Sequence, residues 1–261
     1  MKRILKIMRP AALLALRAVL FVLPALLFVL TAASAQENVS AEEIVQKINQ
    51  GQAVEIRDAI ITGILDLTEI NTKSLAKDRD SNRSYKSKVN VPLTFYNCTF
   101  NDGIVAYKVL ENRGKSPQVL YTADFSKQVT FDNCTFEGMT EFKYSDFSES
   151  VSFAGARFSE PANFKYAQFH DRTDFSNANF PEDADFKYAQ FQEEADFSSA
   201  KLRDDASFKY AKFKNKVNFQ QTTFEGFADF KYTTFKTATD FQQASFRQGS
   251  DFKYTNGDYR L

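Results

Sequence analysis

Side chains able to do chemistry are few in this 261-residue chain, and they do not converge. His170 is the one histidine, so neither a His-centred nucleophile nor a His-rich metal site can be assembled around it. It follows Phe169 directly and reads as a solvent-facing residue. Glycines are scattered, and none form a phosphate-cradling loop. Acidic residues are plentiful, yet Asp124, Asp146, Asp174, Asp185, Asp196, Asp229, Asp240 and Asp251 each stand directly before a phenylalanine. That pattern predicts a solvated row along the molecule, whereas sugar hydrolysis needs two carboxyls across a cleft. No catalytic, cofactor or metal set is expected, and the chain does not read as an enzyme.

Lysine and tyrosine recur together instead. Phe-Lys-Tyr begins at residues 142, 164, 186, 208, 230 and 252, always 22 residues apart. The pairs are Lys143 and Tyr144, Lys165 and Tyr166, Lys187 and Tyr188, Lys209 and Tyr210, Lys231 and Tyr232, and Lys253 and Tyr254. In register, they make a flat aromatic and basic strip suited to a protein or glycan partner. The competing reading is structural: lysine keeps the side soluble and tyrosine covers backbone. Stacked ammonium groups ~4.8 Å apart repel by about 0.9 kcal/mol in bulk water. Glu141, Asp185, Asp229 and Asp251 on the same side are expected to offset this.

The elements that must position these residues show in the phenylalanines. From Phe125 to Phe252 a large apolar residue returns at alternating steps of five and six, 23 of 24 times as Phe and once as Leu202. The residue two before is always Ala, Val, Thr, Ser or Cys. An α-helix, at about 100° per residue, would scatter such a series around its axis. A flat strand would send alternate rings to opposite faces. A chain that turns a corner at every unit can aim each ring at one central axis, with the small residue inward beside it. Four sides of five, six, five and six residues close one square coil per 22 residues.

Units such as Ala162-Asn163-Phe164-Lys165-Tyr166 and Ala184-Asp185-Phe186-Lys187-Tyr188 resemble pentapeptide repeats of the Phe-centred variety. The resemblance implies an all-β fold: a right-handed quadrilateral parallel β-helix of stacked coils. It also brings an alternative function, since some members mimic a DNA duplex and inhibit nucleic-acid enzymes.

Residues 125–256 are expected to form regular coils. Residues 51–124 form the first, irregular ones, with Val54, Ile56, Ile61, Leu65 and Leu67 as an aliphatic start. Residues 40–50 predict a short capping helix, because Ser40 and Glu43 are spaced as a capping box. Two stretches interrupt the coils. Thr72 to Lys88, rich in Lys and Arg without apolar periodicity, reads as a solvated loop. Between Phe100 and Phe125 about 14 residues are inserted. Allowing for that insertion, Cys98 and Cys134 stack in neighbouring coils. Their parallel directions make a disulfide tight, so reduced thiols are the expected state. Past Phe252 no helix follows, which leaves an open end where two copies can pair.

The first 35 residues read as a secretory signal: Lys2, Arg3, Lys6 and Arg9, an apolar run from Ala18, and Ala33-Ser34-Ala35 as cleavage site. Their removal leaves a net charge of −5, which speaks against nucleic acid as partner, and no membrane-spanning segment. The four Asn-x-Ser/Thr sites, at Asn38, Asn82, Asn97 and Asn133, matter only in a host that glycosylates exported chains. Together these features predict a non-enzymatic scaffold in the periplasm or outside the cell, presenting a rigid repetitive surface to an envelope protein or glycan. The exported protein should begin at Gln36. Intact-mass measurement checks this, and a full-length mass in the membrane fraction would contradict it.

Overall fold

Backbone turns alone cannot hold a chain of two-residue strands; each strand needs a neighbour above and below. In the computed structural model, which describes residues 36–79, 82–110 and 119–260, every coil supplies them. The expected leader, residues 1–35, lies outside the described residues. Three nine-stranded sheets and one eight-stranded sheet form the four sides of a solenoid. Neighbouring coils pair in parallel at the predicted spacing, as in Ala162↔Ala184 and Phe169↔Phe191.

The inward rings make four columns. Phe142, Phe164 and Phe186 stack at 5.5 and 5.0 Å with nearly parallel planes. On the opposite side Phe153, Phe175 and Phe197 stack at 5.1 Å. The two columns meet edge to face at the centre, for example Phe164 on Phe175 at 5.2 Å and 80°. Stacked and T-shaped contacts are the two arrangements that the ring quadrupole favours. The small residues two before each ring are buried as well, up to Thr239 before Phe241. Among the described residues the Thr140 and Ser145 hydroxyls have no partner, whereas Thr222 and Thr233 donate to carbonyls of the coil before, those of Phe197 and Phe208, both at 2.7 Å. A buried hydroxyl is thereby satisfied inside an aromatic core.

The N-terminal end is capped. The chain first runs as a strand, Glu37–Ser40, paired with Ala59–Thr62. It then enters the helix Ala41–Asn49, whose capping box of Ser40 and Glu43 is formed on both arms. Ile44 and Ile48 of that helix join the core. At the far end one further strand follows the last phenylalanine. Strand Tyr259–Arg260 pairs with Thr239–Asp240, and the Tyr259 ring lies on Phe252 at 5.2 Å. Gly257 (φ 122°) permits this contraction, because a Cβ there would meet the Phe235 carbonyl oxygen at 1.9 Å.

Cys98 and Cys134 are neighbours, as predicted: Thr99 pairs with Thr135, and the Thr135 amide donates to the Cys98 carbonyl at 2.8 Å. Both thiols are buried and unbridged. The bond it shares with Cys98 pushes the Cys134 thiol up, and burial adds to this.

The stretch from Thr72 to Lys88 is not a loop. Strands Ser74–Arg79 and Asn82–Val89 form an antiparallel hairpin, and the second lies parallel to Val119–Phe125 over seven residue pairs. Strand Tyr107–Leu110 pairs antiparallel with that same strand. Together they build a four-stranded wing continuous with one side of the solenoid.

The core assignment carries a measurable difference. Phe186→Ala should destabilise by ~3–5 kcal/mol through the cavity it leaves. Lys187→Gln, one residue on and outside the core, should change stability by less than ~0.5 kcal/mol. Denaturant melts of the two variants compare them, and equal losses would contradict the inward register.

Candidate functional site

Each coil has four corners of two kinds. The five-residue steps turn through one residue with left-handed backbone. At one corner this residue is Asn133, Gly155, Asn177, Ser199, Gln221 or Gln243, with φ between 54° and 66°. At the diagonally opposite corner it is tyrosine in all six coils, Tyr144 to Tyr254, with φ between 59° and 62°. The turn closes when the residue after tyrosine donates its amide to the phenylalanine carbonyl, as from Ala189 to Phe186 at 3.1 Å. Such type II turns favour Gly or Asn at this position. A bulky side chain there pays about 1–2 kcal/mol.

The residue before phenylalanine sets up the corner. Oδ1 of Asp185, Asp229 and Asp251 accepts from the amides of Lys187, Lys231 and Lys253 at 2.9, 2.9 and 2.8 Å. Asn163 does the same for Lys165. On the other corner Asp174, Asp196, Asn218 and Asp240 take these roles. The aspartates at these corners are therefore turn-forming acceptors and not merely a solvated row. Asp or Asn three residues before a small or amide corner was the signal available in the sequence.

The lysine and tyrosine strip is consequently a ridge along one edge of the solenoid, not a flat face. Its rings stack from Tyr144 to Tyr254 at 4.7–4.8 Å, with planes within 17°. Neighbours cover the faces of each inner ring, so edges and hydroxyls point outward. Four of the lysines lie against their own tyrosine, Nζ 5.2–5.6 Å from the ring centre. Lys231 pairs with Asp251 at 2.9 Å. Among the described residues no carboxylate reaches ion-pair distance of Lys143, Lys165, Lys187, Lys209 or Lys253. Of the carboxylates expected to offset the row, Asp251 pairs with Lys231 and Glu141 attracts Lys143 while accepting from Asn163 at 2.9 Å, and Asp185 and Asp229 turn Oδ1 to backbone amides.

Both insertions leave the solenoid at this same corner. Ala106 occupies the place of Phe142 and Ala123 that of Ser145, so residues 107–122 replace Lys143 and Tyr144 of the coil below. Strand Asn82–Val89 re-enters one coil earlier at the corresponding place. The wing therefore stands at the head of the ridge and touches it. Lys143 Nζ donates to the Tyr107 hydroxyl at 3.1 Å, and the Tyr107 and Tyr144 rings lie 5.8 Å apart. Burial disfavours the Lys143 ammonium, but the Tyr107 hydrogen bond together with attraction from Tyr107, Tyr144 and Glu141 raises its pKa.

On the wing, Tyr85 stacks on Tyr121 at 5.2 Å, and Lys73 and Lys108 approach the Tyr121 ring at 5.5 and 5.3 Å. Lys108 also bridges Asp66 and Glu69 at 2.9 and 2.6 Å. Hydrogen bonds from Lys108 and Lys73 hold the Glu69 carboxyl below its ordinary range. The sequence reading missed this cluster because its members come from separated elements.

The His170 side chain is half-exposed and lies 3.1 Å from Asp146. Among the described residues no three His, Cys, Asp or Glu side chains stand close enough to hold a metal ion. No helix there is long and apolar enough to cross a membrane.

The ridge tyrosines combine strain with stacking, and the balance can be measured. Tyr188→Asn relieves about 1–2 kcal/mol of left-handed strain and removes two ring contacts of about 0.5–1.5 kcal/mol each. Chemical denaturation should show a change under ~2 kcal/mol, well below that of Phe186→Ala. A loss as large as the core substitution would make the ridge a stability device.

No curated protein and no solved structure matches the chain. The family model "Pentapeptide repeats (9 copies)" matches it in overlapping stretches from residue 120 to 256. These span more than half the chain and coincide with the regular coils, and the chain accordingly belongs to the pentapeptide-repeat family.

Proposed function

We propose that this repeat scaffold is a non-enzymatic binding protein, exported to the periplasm or the cell exterior, that holds a protein partner against the Lys/Tyr ridge. One observation carries the reading. The diagonal corners face the same geometric demand, yet one uses small and amide residues and the other uses tyrosine six times over. Tyrosine is the costlier choice for the backbone, and solubility would be served as well by lysine alone. Strain kept at one place and avoided at its counterpart points to a use for that place.

The chemistry on offer favours a protein over a glycan. Sugars stack on open ring faces, and the ladder leaves those open only at its termini. What it presents repeatedly is a hydroxyl, a ring edge and an ammonium per coil, the groups that form the polar part of a protein interface. Mimicry of a DNA duplex is poorly served by the same lysine row. Export rests on the N-terminal residue pattern alone and is tested by the mature mass.

Affinity capture from envelope fractions tests the ridge. The comparison is between the native chain and one carrying Tyr166→Ser, Tyr188→Ser, Tyr210→Ser, Lys165→Gln, Lys187→Gln and Lys209→Gln. The variant should keep its β-sheet circular dichroism, since these side chains lie outside the core, and lose at least tenfold of the captured protein. Equal capture by the folded variant would sink the reading.

A further inference from the structure

The wing has two outer edges, and they are built differently. One is strand Ser74–Arg79, which pairs only with Asn82–Val89 among the described residues. It carries a register break between Leu75 and Lys77, and its sequence brings Lys77 and Arg79. A bulge and basic residues are the devices by which proteins keep a free strand edge from pairing with another chain. The other edge is strand Tyr107–Leu110. It pairs with Val119–Phe125 over four residues in unbroken antiparallel register. It has no bulge and no proline, and it ends in Val109 and Leu110, the latter 54% exposed. Alternate residues of an antiparallel strand turn their amides and carbonyls away from the partner strand. Among the described residues, nothing takes those of Tyr107–Leu110.

The setting of this edge is specific. Strand Tyr107–Leu110 lies beside Val119–Phe125 on the side where, further along, Asp146–Phe147 pairs through Phe125. A strand added to it would come next to the first rungs of the ridge, where Lys143 already contacts Tyr107. Lys143 and Lys165 there have no carboxylate at ion-pair distance among the described residues. An occupant with acidic side chains on its ridge-facing side would supply what these ammonium groups lack.

We propose that strand Tyr107–Leu110 is a docking edge for an extended segment of a partner protein. The segment adds one β-strand to the wing and places acidic residues against Lys143 and Lys165. Main-chain hydrogen bonds would give such a complex its register, and the flanking ammonium groups its preference for acidic sequence. The reading of the ridge as a partner surface enters only through the charge assigned to the occupant; the edge itself stands on the contrast between the two wing strands.

The probe is a phage-displayed library of random dodecapeptides, selected on the full chain, with recovered peptides made synthetically. The expected sequences alternate apolar and acidic residues. Amide hydrogen exchange of the full chain with bound peptide should slow at least tenfold at alternate residues of Tyr107–Leu110. Lys143→Gln should weaken binding at least threefold, while Lys77→Gln should leave it unchanged. No recovered peptide, protection located elsewhere, or basic peptides binding as well as acidic ones would overturn the inference. The ridge reading is separable. If peptides still protect the edge in the variant altered at residues 165–166, 187–188 and 209–210, with only the weakening that loss of the Lys165 ammonium brings, and partner capture also persists there, the ridge fails and the edge stands. If capture is lost but no peptide binds, the edge fails alone.

Discussion

Everything in this molecule depends on the stacking of one phenylalanine on the next at the distance between paired strands. A ring separation of 4.6–5.5 Å down the columns nearly equals the ~4.8 Å between neighbouring strands. The backbone ladder and the aromatic columns can therefore be satisfied by the same step along the axis. That coincidence demands that each coil close after a constant number of residues. The left-handed residue in the five-residue steps is how the chain meets the demand: it turns sharply, returns an amide to the preceding carbonyl, and points the next small residue inward. Aspartate or asparagine before the ring secures the turn from outside.

From that constraint follows where the protein can vary. Inside, almost nothing can change without breaking a column, which is why Leu202 is the single exception to phenylalanine in the regular coils. At the corners, any residue that tolerates a positive φ serves, and the two diagonal edges have been filled in opposite ways. Insertions must leave and re-enter at corners as well. Both do so at the tyrosine edge, in the irregular coils just above the ladder. The wing and the ridge thus form one continuous surface because a single corner of the coil accepts both kinds of departure. The stacked tyrosines and the Lys108, Asp66 and Glu69 cluster lie on that surface, away from the aromatic core.

Much of this was legible in the residues alone. The phenylalanine spacing implied the square coil, the Cys98 and Cys134 contexts implied their adjacency, and Ser40 with Glu43 implied the helix cap. The size of the second insertion also followed from spacing. What was hidden has physical reasons. Asn82–Val89 is a strand because Val119–Phe125 pairs with it; the inward place before Val89 is held by polar Ser87, so no apolar alternation marks it. Aspartate before phenylalanine looked like surface charge because an acceptor aimed at a backbone amide and one aimed at water have the same sequence. The strip became a ridge once φ at tyrosine proved positive, which a residue of low left-handed propensity does not announce. Tyr259 lays a last ring on Phe252 from a place where the repeat had already lapsed.

The claim that one coil is the interchangeable unit can be tested by removing one. Deletion of residues 173–194 joins Arg172 to Ala195 and keeps every column, corner and ladder in register, since Thr173 pairs with Ala195. Deletion of residues 173–192 removes almost as much chain but shifts all later rings off their columns. Equilibrium unfolding followed by circular dichroism should show a single cooperative transition for the first variant, with a slightly smaller denaturant dependence than the native chain. The second should lose cooperativity or fold only in part. Similar behaviour of the two deletions would contradict the account.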